Sequence, residues 1–135
     1  MKQQNIYPFS SISLKLTADA CEWLSGTTTD NDGNEIRNFD IFNGLLKEMR
    51  TDAGYDSTFR RPLNLNPGQA QFSEIGLAER WNLGRKKMHN ILSKMEVVGL
   101  VEIYNSRIGS AITFSCITGW EAYDKPDDDS KINVR

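Results

Sequence analysis

Nucleophilic and metal-binding side chains are scarce in this sequence. There is one histidine, His89, and only two cysteines, Cys21 and Cys116, far apart in the chain. A structural zinc site needs four ligands at short spacing, which these residues do not supply. A histidine-based catalytic centre needs a nucleophile and an oxyanion hole, and no motif provides them. No glycine-rich phosphate loop is present either. Neither an enzyme nor a cofactor or metal is therefore expected. Two unrelated thiols, no signal-peptide pattern and no membrane-spanning run point to the cytoplasm and argue against a disulfide. Internal repeats and heptads are also missing.

An excess of positive charge is lacking too, since the formal net charge is −2. That value alone argues against a nucleic-acid partner, but the distribution does not. Between residues 79 and 107 the cations are Arg80, Arg85, Lys86, Lys87, Lys94 and Arg107, against the anions Glu79, Glu96 and Glu102. This window carries a net +3 and leaves −5 for the remainder. Basic charge is thus focused on one segment. A chain of 135 residues suits one small domain with extensions.

What is present is concentrated in residues 73–118. Leu77, Ala78 and Trp81 fall on one face of a first short helix. Met88, Ile91, Leu92, Met95 and Val98 make the apolar stripe of a longer second helix, expected over 84–98. Only Asn82, Leu83 and Gly84 remain for the turn. Asn82 is expected at positive φ, which asparagine visits at low cost, and Leu83 is expected to plug the gap between the helices. Gly99 is placed to end the second helix, with Leu100 covering it. The period then changes to alternation: Val101 and Ile103, then Ile112, Phe114 and Cys116, flank a loop from Asn105 to Ser110. A β-wing over 101–117 is expected, with Arg107 at its tip.

On the second helix the face opposite the stripe carries Lys86, His89, Asn90, Ser93 and, toward one edge, Lys94. Arg85 and Lys87 flank it in the first turn. Cations at a helix N-terminus oppose the dipole, at about 0.3–1 kcal/mol each. Phosphate contact and groove insertion explain such an arrangement, because amides and side chains then address the same anion.

Residues 64–123 resemble the winged-helix domains of phage, plasmid and conjugative-element replication or regulatory proteins. The matching elements are Asn66-Pro67-Gly68-Gln69, Ser73 with Leu77-Ala78, Trp81-Asn82-Leu83, Gly84 to Met88, Leu92 with Met95-Glu96, Gly99-Leu100, and Trp120 with Tyr123. The helical part is also similar to GntR-type transcription regulators, in which an arginine at the position of Arg85 contacts DNA. Gly84 stands where those families have a capping serine, and His89 where GntR-type proteins have arginine. The resemblance implies an α+β winged helix-turn-helix, with a three-helix core and a small antiparallel β-wing. It implies sequence-preferring binding of double-stranded DNA in a transcription regulator or replication-associated protein of a mobile element. The expected DNA contacts are Ser73, Arg85, Lys86, Lys87, His89, Asn90, Ser93, Lys94 and Arg107. The other partners this implies are a second copy in a homodimer, or a replication or transcription protein. The alternative is a winged-helix protein-docking module without DNA binding.

Upstream, residues 38–49 predict the first core helix, with Phe42, Leu45, Leu46 and Met49 on one face and Asn38 or Asp40 as cap. Asp52 to Arg61 reads as a polar loop. Leu63-Asn64-Leu65 and Gln69-Ala70-Gln71 flank a Pro67-Gly68 turn and suggest a third strand for the wing sheet. Residues 1–37 are expected to be a partly ordered, irregular extension, with a helical turn or two at Ala18–Leu24 and a turn around Asp32-Gly33. The domain proper is placed at 38–123, followed by an acidic disordered tail at 124–135.

Overall fold

The computed structural model describes residues 7–123. They form a mixed α+β fold with four helices and small antiparallel sheets. Strand β1 (Ser11–Leu14) leads into helix α1 (Ala18–Leu24), and a hairpin of β2 (Thr27–Thr29) and β3 (Glu35–Arg37) leads into α2 (Asn38–Leu46). Then come β4 (Gln69–Phe72), α3 (Glu74–Arg80) and α4 (Arg85–Val97). The last elements are β5 (Glu102–Asn105), β6 (Ser110–Thr113) and β7 (Ile117–Glu121).

One apolar core joins these elements. The α4 stripe buries Met88, Ile91, Leu92 and Met95. It meets Ile41, Phe42, Leu45 and Leu46 from α2, and Leu77 and Ala78 from α3. Trp81 lies over α2, where a Cβ on Gly44 would stand 3.2 Å from its ring. The turn between α3 and α4 has the expected form: Asn82 has φ 57°, and Leu83 is 5% exposed with its N–H donating to the Ala78 carbonyl at 2.8 Å. Gly99 ends α4 at φ 86°, and the Leu100 N–H reaches back to the Met95 carbonyl. Strand order β4-β6-β5 makes Gln69–Phe72 the third strand of the hairpin sheet, also as expected.

Four expectations are corrected. Residues 7–37 are no irregular extension. Phe9 and Ala20 sit in the common core, and β1 pairs with β7, Ser11 opposite Glu121. The Thr17 hydroxyl accepts from the Ala20 N–H to cap α1 and donates to the Val98 carbonyl, tying α1 to the end of α4. A domain start at residue 38 therefore cuts through the fold. Second, the hairpin strands end at Thr113, not at 117. Phe114 and Cys116 are buried, but the Phe114 N–H bonds to Gly68 and the Cys116 N–H to Leu100. Their alternation marks burial beneath the sheet, and the next strand turns away to β1. Third, α2 has no side-chain cap. Asn38 is turned inward, with its amide N–H donating to the Trp23 carbonyl and its Oδ1 accepting from Thr28, while Asp40 pairs with Arg37. Fourth, Leu65 pairs with Gly54 rather than joining the sheet. The acidic tail at 124–135 lies outside the described residues.

Candidate nucleic-acid interface

With 3.6 residues per turn, the positions of α4 opposite its buried stripe are fixed. Lys86, Asn90 and Ser93 form the centre of its outward face, with His89 on one side and Lys94 on the other. All five are exposed. Among the described residues, Lys86, Asn90, Ser93 and Lys94 have no side-chain hydrogen bond or ion pair to occupy them. Arg85 and Lys87 lie about 200° apart around the axis, one on each flank.

The two flanks differ in what they face. On one, the Lys87 ammonium donates to the Thr29 carbonyl at 2.9 Å, which ties it to the β2–β3 hairpin. That hairpin is acidic. The Asn34 backbone N–H, chiefly, holds the Asp30 carboxyl below its ordinary range, and the Asn82 amide adds to this. The hydroxyl of Thr27, then that of Thr29, does the same for Glu35. Both carboxylates are therefore ionised at neutral pH, and Glu35 lies within Coulombic range of Lys87. The same hairpin braces the α3–α4 turn: the Asn31 N–H donates to the Asn82 carbonyl at 2.9 Å, and the Asn82 amide donates to Asp32 Oδ2 at 2.8 Å.

On the other flank, one carboxylate organises two of the expected contacts. Glu74, in the first turn of α3, accepts from His89 Nδ1 at 2.8 Å and pairs with Arg85 at 3.7 Å. With Nδ1 turned to Glu74, the Nε2 atom is the free polar edge of His89. Ser73 is the N-cap of α3, its Oγ accepting from the Gly76 N–H at 3.0 Å. Arg107 is exposed in the β5–β6 turn, whose ends are closed by the Ser106 N–H bonding to Gly109.

Three of these elements converge. The start of α3 (Ser73 to Ile75), the start of α4 (Arg85) and the β5–β6 turn (Ile108 to Ser110) line one open cleft of about 400 Å³. Its remaining wall brings Arg60 and Arg61 from the long α2–β4 connection. Sequence reading placed these arginines in a polar loop and missed both, although the Arg60-Arg61-Pro62 run is a visible signal. It also missed Glu74, which is 15 residues from His89 and comes beside it only through the turn.

No protein-family model, no curated protein and no solved structure matches this chain. No helix among the described residues is long and apolar enough to cross a membrane. Among the same residues, no group of histidine, cysteine and carboxylate side chains is placed to hold a metal.

Proposed function

We propose that this protein binds double-stranded DNA with a sequence preference, as a winged helix-turn-helix. In this reading α2, α3 and α4 are the three-helix core, α4 is the recognition helix and the β5–β6 hairpin is the wing. The observation that carries it is the shared cleft: the head of α4 and the tip of the hairpin open to the same side. A groove-binding helix and a wing must address one duplex together. The polar face of α4 supports the same reading, because Lys86, Asn90, Ser93 and Lys94 have no side-chain partner among the described residues.

Roles follow from side-chain chemistry. Asn90, one turn into the helix and at the centre of its face, suits the N6 and N7 edge of adenine. His89 offers Nε2 to a neighbouring base, held in that orientation by Glu74. Lys86, Lys94 and Arg107 address phosphates, which position the protein without reading sequence. Ser73 and Lys87 contribute through structure, as a helix cap and a brace. A mobile-element regulator and a replication protein would use this face alike.

Selection from random duplexes tests the proposal. A defined site is expected, and Asn90→Ala should relax one base pair of it by about 1–3 kcal/mol. Recovery of no preferred sequence by the wild-type chain would refute sequence-preferring binding. An identical site for wild type and Asn90→Ala would remove Asn90 from base readout.

A further inference from the structure

The connection from α2 to β4 is built more firmly than a polar linker requires. At its base Gly54 and Leu65 exchange backbone hydrogen bonds of 3.0 and 2.6 Å, and Leu65 is buried. Asp56 accepts from both the N–H and the hydroxyl of Thr58. Toward the tip the loop is clamped by Gln71 of β4, a polar side chain only 6% exposed. The Gln71 amide donates to the Arg61 carbonyl at 3.1 Å and its Oε1 accepts from the Leu63 N–H at 2.9 Å. The same amide closes on the β5–β6 turn, where a Cβ at Gly109 would stand 2.9 Å from Gln71 Nε2. A compact loop with closed ends and its own internal bonds is a common carrier of function.

This clamp holds Arg60 and Arg61 at the cleft that Arg85 lines from the other side. Among the described residues neither Arg60 nor Arg61 forms an ion pair or donates a side-chain hydrogen bond, and both are exposed. The carboxylate of the cleft, Glu74, is already shared by Arg85 and His89. Three convergent arginines against one shared carboxylate repel one another, and low-dielectric walls such as Phe59, Ile75 and Ile108 concentrate their field. Planar guanidinium groups match phosphate oxygens two at a time.

We infer that this cleft is a phosphate-binding site, in which Arg60 and Arg61 grip the backbone of the DNA strand running beyond the Arg85 flank of α4. Gln71 is the positioning residue that holds the pair in place. The inference rests on the DNA-binding reading and adds to it a contact outside α4 and the β5–β6 hairpin. Free phosphate shares the chemistry, so the test separates the two sources.

The duplex recovered by selection is titrated, by fluorescence anisotropy over a series of salt concentrations, into the full chain and its R60A/R61A variant. The double variant should lower the slope of log K against log salt by about 1.8, at about 0.9 per phosphate neutralised, with the preferred sequence unchanged. R60K/R61K should restore most of the slope, because charge and not packing is what was removed. Phosphate ethylation interference should lose its signal at one end of the site only. If wild type binds duplex and the double variant keeps its slope, the cleft contact is wrong and the DNA reading stands. If wild type binds no duplex, the DNA reading fails and takes the strand contact with it. Titration with inorganic phosphate, followed at the arginine Nε resonances of wild type, then decides whether the cleft holds free anion. Saturable shifts at Arg60 and Arg61 in that case would reassign the site to free phosphate.

Discussion

Asn82 concentrates two physical effects in one residue, and substitution separates them. Its φ of 57° puts it in the left-handed region, where a side chain with a β-branch is strained by about 1–2 kcal/mol. Its amide also donates to Asp32 at 2.8 Å, a bond to a carboxylate at a half-exposed site, worth about 0.5–1.5 kcal/mol net. Asn82→Val loses the bond and adds the strain, so it should destabilise by about 2–3 kcal/mol. Asn82→Gly loses the same bond but relieves what strain asparagine feels, so it should fall within about 1 kcal/mol of wild type. The difference between the two variants isolates the backbone effect, since both lack the amide. A cycle with Asp32→Ala isolates the hydrogen bond. Urea unfolding, followed by tryptophan fluorescence from the adjacent Trp81, measures wild type, the single variants and the double variant of the cycle. Equal stability of the valine and glycine variants would show that the turn does not use a left-handed residue at 82. The direction of α4, and every contact assigned to its outward face, would then be wrong.

Three further outcomes are expected. Leu83, buried between α3 and α4, should cost about 2–4 kcal/mol on truncation to alanine, read from the same denaturation curves; a loss below about 1 kcal/mol would mean that the gap collapses around the smaller side chain. Lys86→Ala should lower the salt slope of duplex binding by about 0.9, the value for one phosphate, whereas Lys87→Ala should leave the slope nearly unchanged and reduce stability instead, because its ammonium is held by Thr29. Burial pushes the Cys116 thiol from its usual 9.0 up to about 11, so at pH 8 a thiolate-directed reagent should label exposed Cys21 and spare Cys116. A buried group that ionises less readily when folded favours folding below pH 9 and loses that contribution as pH rises toward 11, so labelling of Cys116 should appear together with alkaline unfolding.

The segment from α3 to Gly99 was legible because its determinants are local. A stripe at Met88, Ile91, Leu92 and Met95 fixes the buried face of α4, and the opposite face follows from it. The turn was legible because one residue in it tolerates positive φ and one is apolar. Residues 7–37 were not legible for the opposite reason. Ser11 finds its strand partner at Glu121, and Ala20 finds its core across the whole chain. Helix α1 has only seven residues and one buried side chain, too little to show a period. The hairpin ladder Thr27–Thr29 with Glu35–Arg37 carries one half-buried position on each strand, so alternation could not reveal it. Within the site, the outward residues of α4 could be enumerated from one helix, but their partners could not. Glu74 and Thr29 come from two other elements, and it is they that decide which cations remain free.

Those partners change how a duplex would approach α4. A helix seated in the major groove lies between two phosphate strands. On the Lys87 flank a strand would meet Asp30, Asp32 and Glu35, with the nearest ammonium already donating to Thr29. On the Arg85 flank it would meet Arg60, Arg61 and Arg85 against one shared carboxylate. The net charge of −2 is compatible with the proposed binding because the cleft on the Arg85 flank gathers three arginines against Glu74 alone. Neutralising the acidic flank should therefore strengthen binding without touching any contact. Asp30 itself is a poor choice, because it organises the hairpin turn through the Asn34 and Asp32 N–H groups. Glu35→Gln is better, since the amide oxygen can still accept from one of the two threonine hydroxyls. Its expected result is tighter binding at low salt, converging on wild type as salt screens the field over the ~10 Å Debye length at 0.1 M. Unchanged affinity at low salt would mean that no DNA strand passes the hairpin, and the duplex would then lie across the arginine flank alone.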